Sequence, residues 1–295
     1  AVPPVPQTEQ HAWNLIQRSR PCVNLHAASS LKGCNLLGFD NLIIMRRLVE
    51  HLYAEGHRSF GYVASRTKKY SYERFAVFRD MLAEKHIELP SAWSVGFSPM
   101  TARPGRRFCK ITRLERYAAG GHNSDRAEYE RELAKLLQCF LDAGTQRPSA
   151  IVFETDQVAY LFWELAERRG LKIPGDIAIA GVDNDQTGRG KRYNRFLTTV
   201  EQDFRSYARE SIVMLVDMID GRRPRSGQVV LLPPKLIIRK SSLKRSLANG
   251  TLSSPELKKR IEGYLADNLT DSDLAETIVD AFGMRRYTFA RRFRT

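Results

Sequence analysis

Ile173–Asp185 reads IPGDIAIAGVDND, and this stretch decides the class of fold. Residues 176–182, which are apolar or small after Asp176, stand between a Pro-Gly pair and three polar residues, which predicts a buried strand over 176–182 with Asp183 directly after it. A helix pattern over 157–169, closed by Gly170, precedes the strand. A helix followed by a continuously apolar strand is typical of parallel sheets that are covered on both faces.

The same alternation extends on both sides of this stretch. Helices are predicted over 7–18, 41–55, 72–85, 125–143 and 204–220, and strands over 21–25, 59–64, 92–97, 149–153, 229–232 and 235–238. Strands that alternate with helices of this length indicate βαβ units, so we predict an α/β fold of doubly wound parallel sheets. The arginine-rich residues 98–124 interrupt the pattern and predict a surface loop.

The character of the sequence changes near residue 240. We predict one α/β domain over residues 1–240, a polar and basic linker over 241–253, and a small all-α segment over 254–295. In that segment, ETIVDAFGMRRYTFARRFR (276–294) predicts two helices around Gly283, because glycine readily adopts the conformation of a tight turn. This spacing is typical of a helix-turn-helix.

The charge balance favours a polyanionic partner. The formal net charge is +14, and lysine or arginine near a phosphate releases condensed counterions. We expect the second helix of the C-terminal segment to contact DNA, the alternative being a basic helix that binds no nucleic acid. The expected contacts are Arg285, Arg286, Tyr287, Thr288, Arg291, Arg292 and Arg294.

Several function classes find no support in the sequence. The four cysteines form no CxxC pair and no zinc-ligand pattern, so we expect no metal site. Nucleotide-binding and hydrolase motifs are missing, so we expect neither a cofactor nor an enzyme. No apolar stretch is long enough to cross a membrane and no signal peptide is present, which favours the cytoplasm. The chain begins with Ala1, and we expect it to start inside a longer protein, after the first strands of its sheet.

Acidic residues at element ends are the first candidates for a ligand site. Asp183 directly follows a buried strand, at the position where open α/β sheets bind ligands, although an aspartate there can also cap a turn. Asp40 and Asp156 precede predicted helices, and each either binds ligand or caps its helix. Because a carboxylate accepts hydroxyl hydrogen bonds, and a guanidinium donates in a fixed fork, this chemistry favours a polyol such as a sugar.

Further motifs stand in a fixed order around Ile173–Asp185. They are GFDN (38–41), ERFAVF (73–78), ETDQVA (154–159), LTTVEQDF (197–204) and LLPPKLIIRKS (231–241). In this order they resemble the ligand-binding domain of LacI/GalR-type regulators. The resemblance implies a two-lobed, periplasmic-binding-protein-like sensor that closes on a small ligand. It also implies that Arg74 contacts the ligand, the alternative being a surface arginine.

Two features narrow the resemblance. Thr155 stands before Asp156 where LacI/GalR proteins often have asparagine, and the C-terminal motif is similar to the first helix-turn-helix of AraC-family activators. Together they resemble xylose-responsive regulators, in which a LacI-like sensor precedes an AraC-type domain with two such motifs. The resemblance implies Thr155 as a ligand contact, D-xylose as the effector, a homodimer, operator DNA as partner, and a chain that stops after its first motif. The alternative function is a sugar-binding protein of a transport system.

Overall fold

The computed structural model describes residues 20–25, 35–64, 69–90, 93–95, 123–186 and 190–243, together with positions 11, 16 and 262. In chain order its elements are β1 (Asn24–Leu25), β2 (Leu36–Phe39), α1 (Asn41–Ala54), β3 (Phe60–Val63), α2 (Lys69–Glu84), β4 (Ser94–Val95), α3 (Asn123–Asp142), β5 (Ala150–Phe153), α4 (Asp156–Arg168), β6 (Ala178–Asp183), α5 (Gly190–Tyr193), β7 (Thr198–Glu201), α6 (Phe204–Ile219), β8 (Val229–Leu232) and β9 (Lys235–Ile237), with single 3-10 turns at Gly144–Gln146 and Lys240–Ser242.

The larger sheet has six strands in the order β4-β3-β5-β6-β7-β9. Helices cover both of its faces, with α1 and α2 on one side and α3 and α4 on the other. Leu48 and Phe78 belong to the first of these cores, while Phe140 and Phe162 belong to the second. Every residue of β3 and β5 is buried, which explains why these strands are continuously apolar in sequence.

The smaller sheet has three parallel strands in the order β1-β2-β8. Helix α6 packs against it, because the Tyr207 hydroxyl donates to the Leu37 carbonyl at 3.2 Å and the Tyr207 ring stacks on Phe39 at 5.2 Å. The two sheets define the two lobes of a periplasmic-binding-protein-like fold, as the sequence predicts. Within the described residues the chain passes between the sheets three times: after β2, after β7 and after β8.

One strand departs from the predicted parallel arrangement. β9 pairs antiparallel with β7, through Glu201 opposite Lys235 and Thr199 opposite Ile237. The reason is where the chain enters the larger sheet. It arrives from β8 of the smaller sheet through Pro233-Pro234, and Lys235 lies opposite Glu201 at the carboxyl end of β7, so β9 runs back along β7 in the opposite direction.

Other differences concern the limits and the number of elements. β2 and β7 are strands that were not predicted from the sequence, because each has only four residues and lies beside a segment with a more pronounced hydrophobic pattern. Residues 241–243 are buried against the larger sheet, so a linker can begin no earlier than residue 244. Most of the predicted helix 7–18, of the loop 98–124 and of the segment 254–295 lies outside the described residues. None of the described helices is long and apolar enough to cross a membrane.

Candidate ligand site

The candidate site lies at the carboxyl edge of the larger sheet. β5, β6 and β7 are parallel neighbours, so the residues that follow them meet at one edge. Glu154 and Thr155 follow β5, Asp183 ends β6 opposite Glu201, and Gln202 follows β7. This is the edge at which open α/β sheets bind ligands.

Asp183, Asn184 and Asp185, here called the ligand loop, have an uncommon backbone. Asp183 has φ 116° and Asn184 has φ 52°, and neither is a glycine. Aspartate and asparagine tolerate such angles better than other side chains, but two in succession are strained unless neighbours hold them. Hydrogen bonds from the backbone N–H groups of Asn184 to Thr199 Oγ1 and of Asp185 to Asp156 Oδ2 supply that restraint.

Arg74 reaches the same edge from the first turns of α2. Its side chain is buried, its Nε donates to Asn41 Oδ1 at 2.9 Å and its Nη1 donates to the Glu154 carbonyl at 3.2 Å. Its guanidinium also lies 4.9 Å from the centre of the Tyr70 ring. A guanidinium has five N–H donors in a planar fork, so these two bonds fix its orientation and leave donors for a ligand.

A second layer of polar contacts holds Arg74 in place. Asn41 Nδ2 donates to Glu73 Oε2 at 2.8 Å, and the Ser71 hydroxyl donates to Glu154 Oε1. Asn41 directly follows the first passage between the sheets. The contacts therefore connect that passage to α2 and to the end of β5.

Electrostatics mark Asp183 as unusual. Burial raises the pKa of its carboxyl group to about 8, and the nearby Arg74 charge opposes this rise only in part. Asp156, Glu154 and Asp185 raise the pKa further through like-charge repulsion. Near neutral pH Asp183 therefore exists in both protonation states, and its neutral form can donate to a hydroxyl as well as accept from one.

Asp156 is buried and fully engaged in internal contacts. Its carboxylate oxygens lie 2.8 and 2.9 Å from the Thr199 hydroxyl, and Oδ2 accepts from the Asp185 backbone N–H at 3.0 Å. Burial raises the pKa of Asp156 to about 7, although these hydrogen bonds and the charge of Arg239 each lower it. Asp156 thus ties α4, β7 and the ligand loop together.

The structure places the other two candidates differently. Asp40 Oδ1 accepts from the backbone N–H groups of Leu42 and Ile43, which is the capping alternative that the sequence left open. Thr155 is the N-cap residue of α4, but its side chain makes no capping hydrogen bond. Its half-buried hydroxyl is therefore not used to start the helix.

The aromatic residues divide between core and edge. Trp163 packs on Tyr193 in the core beneath α4. Phe39 is buried between Tyr207 and Phe204, at the first passage between the sheets. Phe204 keeps 48 % of its surface exposed and lies at the second passage.

Several residues of the candidate site were not predicted from the sequence. Glu154, Asn184 and Gln202 follow strand ends directly, and that position was the available signal. Gln202 is 5 % exposed, and no described residue accepts a hydrogen bond from its Nε2. Ser71 and Arg239 could not be assigned to the site from the sequence, because their partners Glu154 and Asn184 lie in distant parts of the chain. The seven residues expected to contact DNA, Arg285 to Arg294, lie outside the described residues. In the described ranges, no group of three His, Cys, Asp or Glu side chains could hold a metal ion.

Comparison with known proteins identifies the family of the domain. The family model described as a periplasmic binding protein-like domain matches residues 49–242. The NTD biosynthesis operon regulator NtdR of Bacillus subtilis is 31 % identical over 96 residues, which are 32 % of this chain and 29 % of that protein. The HTH-type transcriptional repressor CytR of Escherichia coli K12 is 29 % identical over 204 residues, 69 % of this chain and 50 % of the repressor.

Solved structures agree on the fold. The lactose repressor bound to the anti-inducer ONPF superposes with a TM-score of 0.60 at 21 % identity, over 81 % of this chain and 76 % of that one. The chain spans about half or less of the length of the two curated relatives. The family model matches residues 49–242, and the solved structure shares the fold over 81 % of the chain.

Proposed function

We propose that this chain, which belongs to the family of periplasmic binding protein-like domains, is a sensor of the LacI/GalR type that controls transcription in response to a sugar. The effector binds at the carboxyl edge of the larger sheet and favours closure of the two lobes. The names of the matched relatives describe regulators and repressors, which supports this function over a transport protein and over an enzyme.

The observation that carries the proposal is the charge of Arg74 near Asp183. Asp183 is a half-buried acid whose pKa burial raises, and the charge that opposes this rise is a buried guanidinium that neighbours hold in place. Thr155 and Gln202 add a hydroxyl and an amide at the same edge. Such a set of donors and acceptors matches adjacent hydroxyls of a polyol, and a site that pairs each hydroxyl rejects analogues that lack one.

Thermal unfolding with a panel of sugars tests the effector. D-xylose comes first, because of the resemblance to xylose-responsive regulators, followed by other pentoses and hexoses. A sugar at 100 times its Kd should stabilise the protein by about 2.7 kcal/mol. For a domain of this size that raises the Tm by roughly 5–10 °C.

Asp183→Asn is the matched variant for this test. Asparagine tolerates the positive φ of this position but removes the carboxyl group, so we expect the sugar-dependent rise in Tm to disappear. The control is Asp80→Asn, which removes an exposed acid of α2 that pairs with Arg79. A full response in Asp183→Asn would remove Asp183 from the site.

We propose that residues 254–295 contact DNA through a helix-turn-helix. The support is the spacing around Gly283 and the five arginines among residues 285–294. Anisotropy with a random-sequence duplex, over a range of salt concentrations, provides the measurement. Arg286→Ala should weaken binding and reduce the salt slope by about 1, because one phosphate contact is lost. An unchanged slope would contradict the assignment, and Arg168→Ala, on the sensor surface, is the control.

The oligomeric state, the location and the target genes are proposed from the resemblance to xylose-responsive regulators. We propose a homodimer that acts in the cytoplasm on genes of pentose use and activates them when sugar is bound. The matched relative CytR is named a repressor, so activation has to be tested against repression. The expression of a reporter gene behind the operator, with and without sugar, distinguishes the two. Activation should require both the sugar and Arg286.

A further inference from the structure

Residues 239–243, here called the exit segment, leave β9 and lead toward residues 244–295. They are anchored at the start of β7 and inside β6. The Ser241 backbone N–H donates to the Phe196 carbonyl at 2.8 Å, and the Ser241 hydroxyl donates to the Ile179 carbonyl at 2.7 Å. Ser241 and Ser242 are completely buried, so the exit segment is part of the sensor core.

Ser242 adds contacts to two histidines. Its hydroxyl lies 2.6 Å from Thr198 Oγ1 and 2.7 Å from His51 Nε2, and its carbonyl lies 3.2 Å from His57 Nε2. Strand β7, helix α1 and the turn after α1 therefore all hold the exit segment. Its position is fixed by polar bonds, which a small displacement of any partner would alter.

The ligand loop has its own set of restraints at the other end of the strands. The Asn184 backbone N–H donates to Thr199 Oγ1 at 3.2 Å, and Asn184 Nδ2 donates to Glu201 Oε1 at 2.8 Å. The Tyr160 hydroxyl donates to the Asp185 carbonyl at 2.8 Å. Since Asn184 directly follows Asp183, a ligand that moves Asp183 also moves the Asn184 side chain.

Arg239 belongs to both sets. Its Nη2 donates to Asn184 Oδ1 at 3.0 Å, while its Nη1 donates to the Leu197 carbonyl at 2.8 Å. Its backbone N–H donates to Thr198 Oγ1 at 2.8 Å, and its carbonyl accepts from the same hydroxyl at 2.7 Å. One side chain thus spans from the ligand loop to the residues that anchor the exit segment.

We propose that Arg239 is a positioning residue that couples the ligand loop to the exit segment through Asn184. The proposal deepens the proposed function, because it assumes that the ligand loop receives the effector. When a ligand shifts Asn184, the guanidinium must follow or lose its bond. Either change alters the contacts of Arg239 with Leu197 and Thr198, and so the position of the chain that continues toward residue 295.

A second contact gives Arg239 influence over the same loop. The charge of Arg239 lowers the pKa of Asp156, whose carboxylate holds the Asp185 N–H. Loss of this charge should raise the pKa of Asp156 further above its ordinary value. A residue that only fills space at the exit segment would leave that pKa unchanged.

Amide hydrogen exchange of the full 295-residue chain without ligand tests the coupling. Asn184→Gly removes the side chain but keeps the left-handed backbone accessible, since glycine adopts it without strain. We expect this variant to accelerate exchange of the distant Ser241 amide at least fivefold. Arg239→Gln should in turn accelerate exchange of the Asn184 and Asp185 amides, and the double variant should exceed neither single variant, because both break the same bond.

Two further variants distinguish the effect of the Arg239 charge from the effect of its hydrogen bonds, and control for the loss of any arginine bond. Arg239→Lys keeps the charge but not the two-pronged geometry, so it should restore the pKa of Asp156 while leaving Ser241 exchange fast. Arg169→Gln breaks a comparable bond, from an exposed guanidinium to Gln138 Oε1 at 3.0 Å, and should change neither rate. Unchanged Ser241 exchange in Asn184→Gly, or wild-type exchange in Arg239→Lys, would overturn the coupling.

The outcome is independent of the effector's identity. A sugar panel without any response, together with fast Ser241 exchange in Asn184→Gly, would reject the effector class and keep the coupling. A clear D-xylose response without any change at Ser241 would keep the proposed function and reject the coupling.

Discussion

The two sheets differ in how completely they bury their apolar residues. β3 and β5 of the larger sheet have no exposed residue, and helices cover both faces. In the smaller sheet Val229 of β8 is 65 % exposed, and on α6 Ile212 and Ile219 are 62 % and 65 % exposed. The larger sheet therefore supplies most of the hydrophobic stabilisation, and it also supplies most of the candidate site. A rigid base on one side and a less packed lobe on the other suit a fold that closes by moving one lobe against the other.

Truncation of core residues should show this difference most strongly. Phe162→Ala removes a fully buried ring beneath the larger sheet and should lower the free energy of unfolding by about 3–5 kcal/mol. Ile219→Ala, on the exposed face of α6, should change it by less than about 1 kcal/mol. Urea denaturation gives both values, and a similar loss in the two variants would mean that the α6 face is covered in solution.

The second largest difference between the lobes should be the pH dependence of their stability. In the larger lobe the pKa of the buried Asp156 is raised to about 7, so the folded state binds its proton more tightly than the unfolded chain does. The contribution of Asp156 to the free energy of unfolding is present below about pH 4 and is lost as the pH rises toward 7. The loss amounts to up to a few kcal/mol, at about 1.4 kcal/mol per pKa unit. Asp156→Asn should flatten the fall in urea-derived stability between pH 4 and 7.

The smaller lobe should respond in the opposite direction. Asp203 caps α6, and hydrogen bonds from Ser206 lower its pKa. The stabilisation by its carboxylate is present above the pKa of the unfolded chain and disappears as the pH falls through the folded one. Asp203→Asn should therefore lower stability at neutral pH and have little effect in acid. An unaltered fall between pH 4 and 7 in Asp156→Asn would assign that slope to another group.

Glycine replacement gives the smallest of the three contrasts. A Cβ at Gly181 in β6 would lie 2.1 Å from Asp156 Oδ1, whereas a Cβ at Gly38 in β2 would meet only Leu231 Cδ2 at 3.6 Å and Leu36 Cδ2 at 4.0 Å. Gly181→Ala should therefore cost about 1–3 kcal/mol, as overpacked cores do, and Gly38→Ala should be nearly neutral. Equal thermal stability of the two variants would show that Asp156 can move aside.

The parts that the sequence predicted are those with local signals. β6 and Asp183 follow from one run of apolar residues and its polar end, and α4 follows from its periodicity and Gly170. The contacts of Asp156 and Arg239 could not be predicted in this way, because both depend on residues more than 28 positions away that meet only when β6, β7 and β9 pair. Gln202 stood in a recognised motif, but its burial became evident only with the strand β7 that precedes it.

The direction of β9 has a practical consequence for protein engineering. Because β9 runs antiparallel to β7, the chain leaves the larger lobe at the end of the strands opposite to Asp183. A domain joined after Leu243 would lie away from the mouth of the cleft and leave diffusion of a small molecule into it unhindered. Position 243/244 is therefore a natural place to exchange output modules, provided that Arg239, Ser241 and Ser242 remain on the sensor side of the junction.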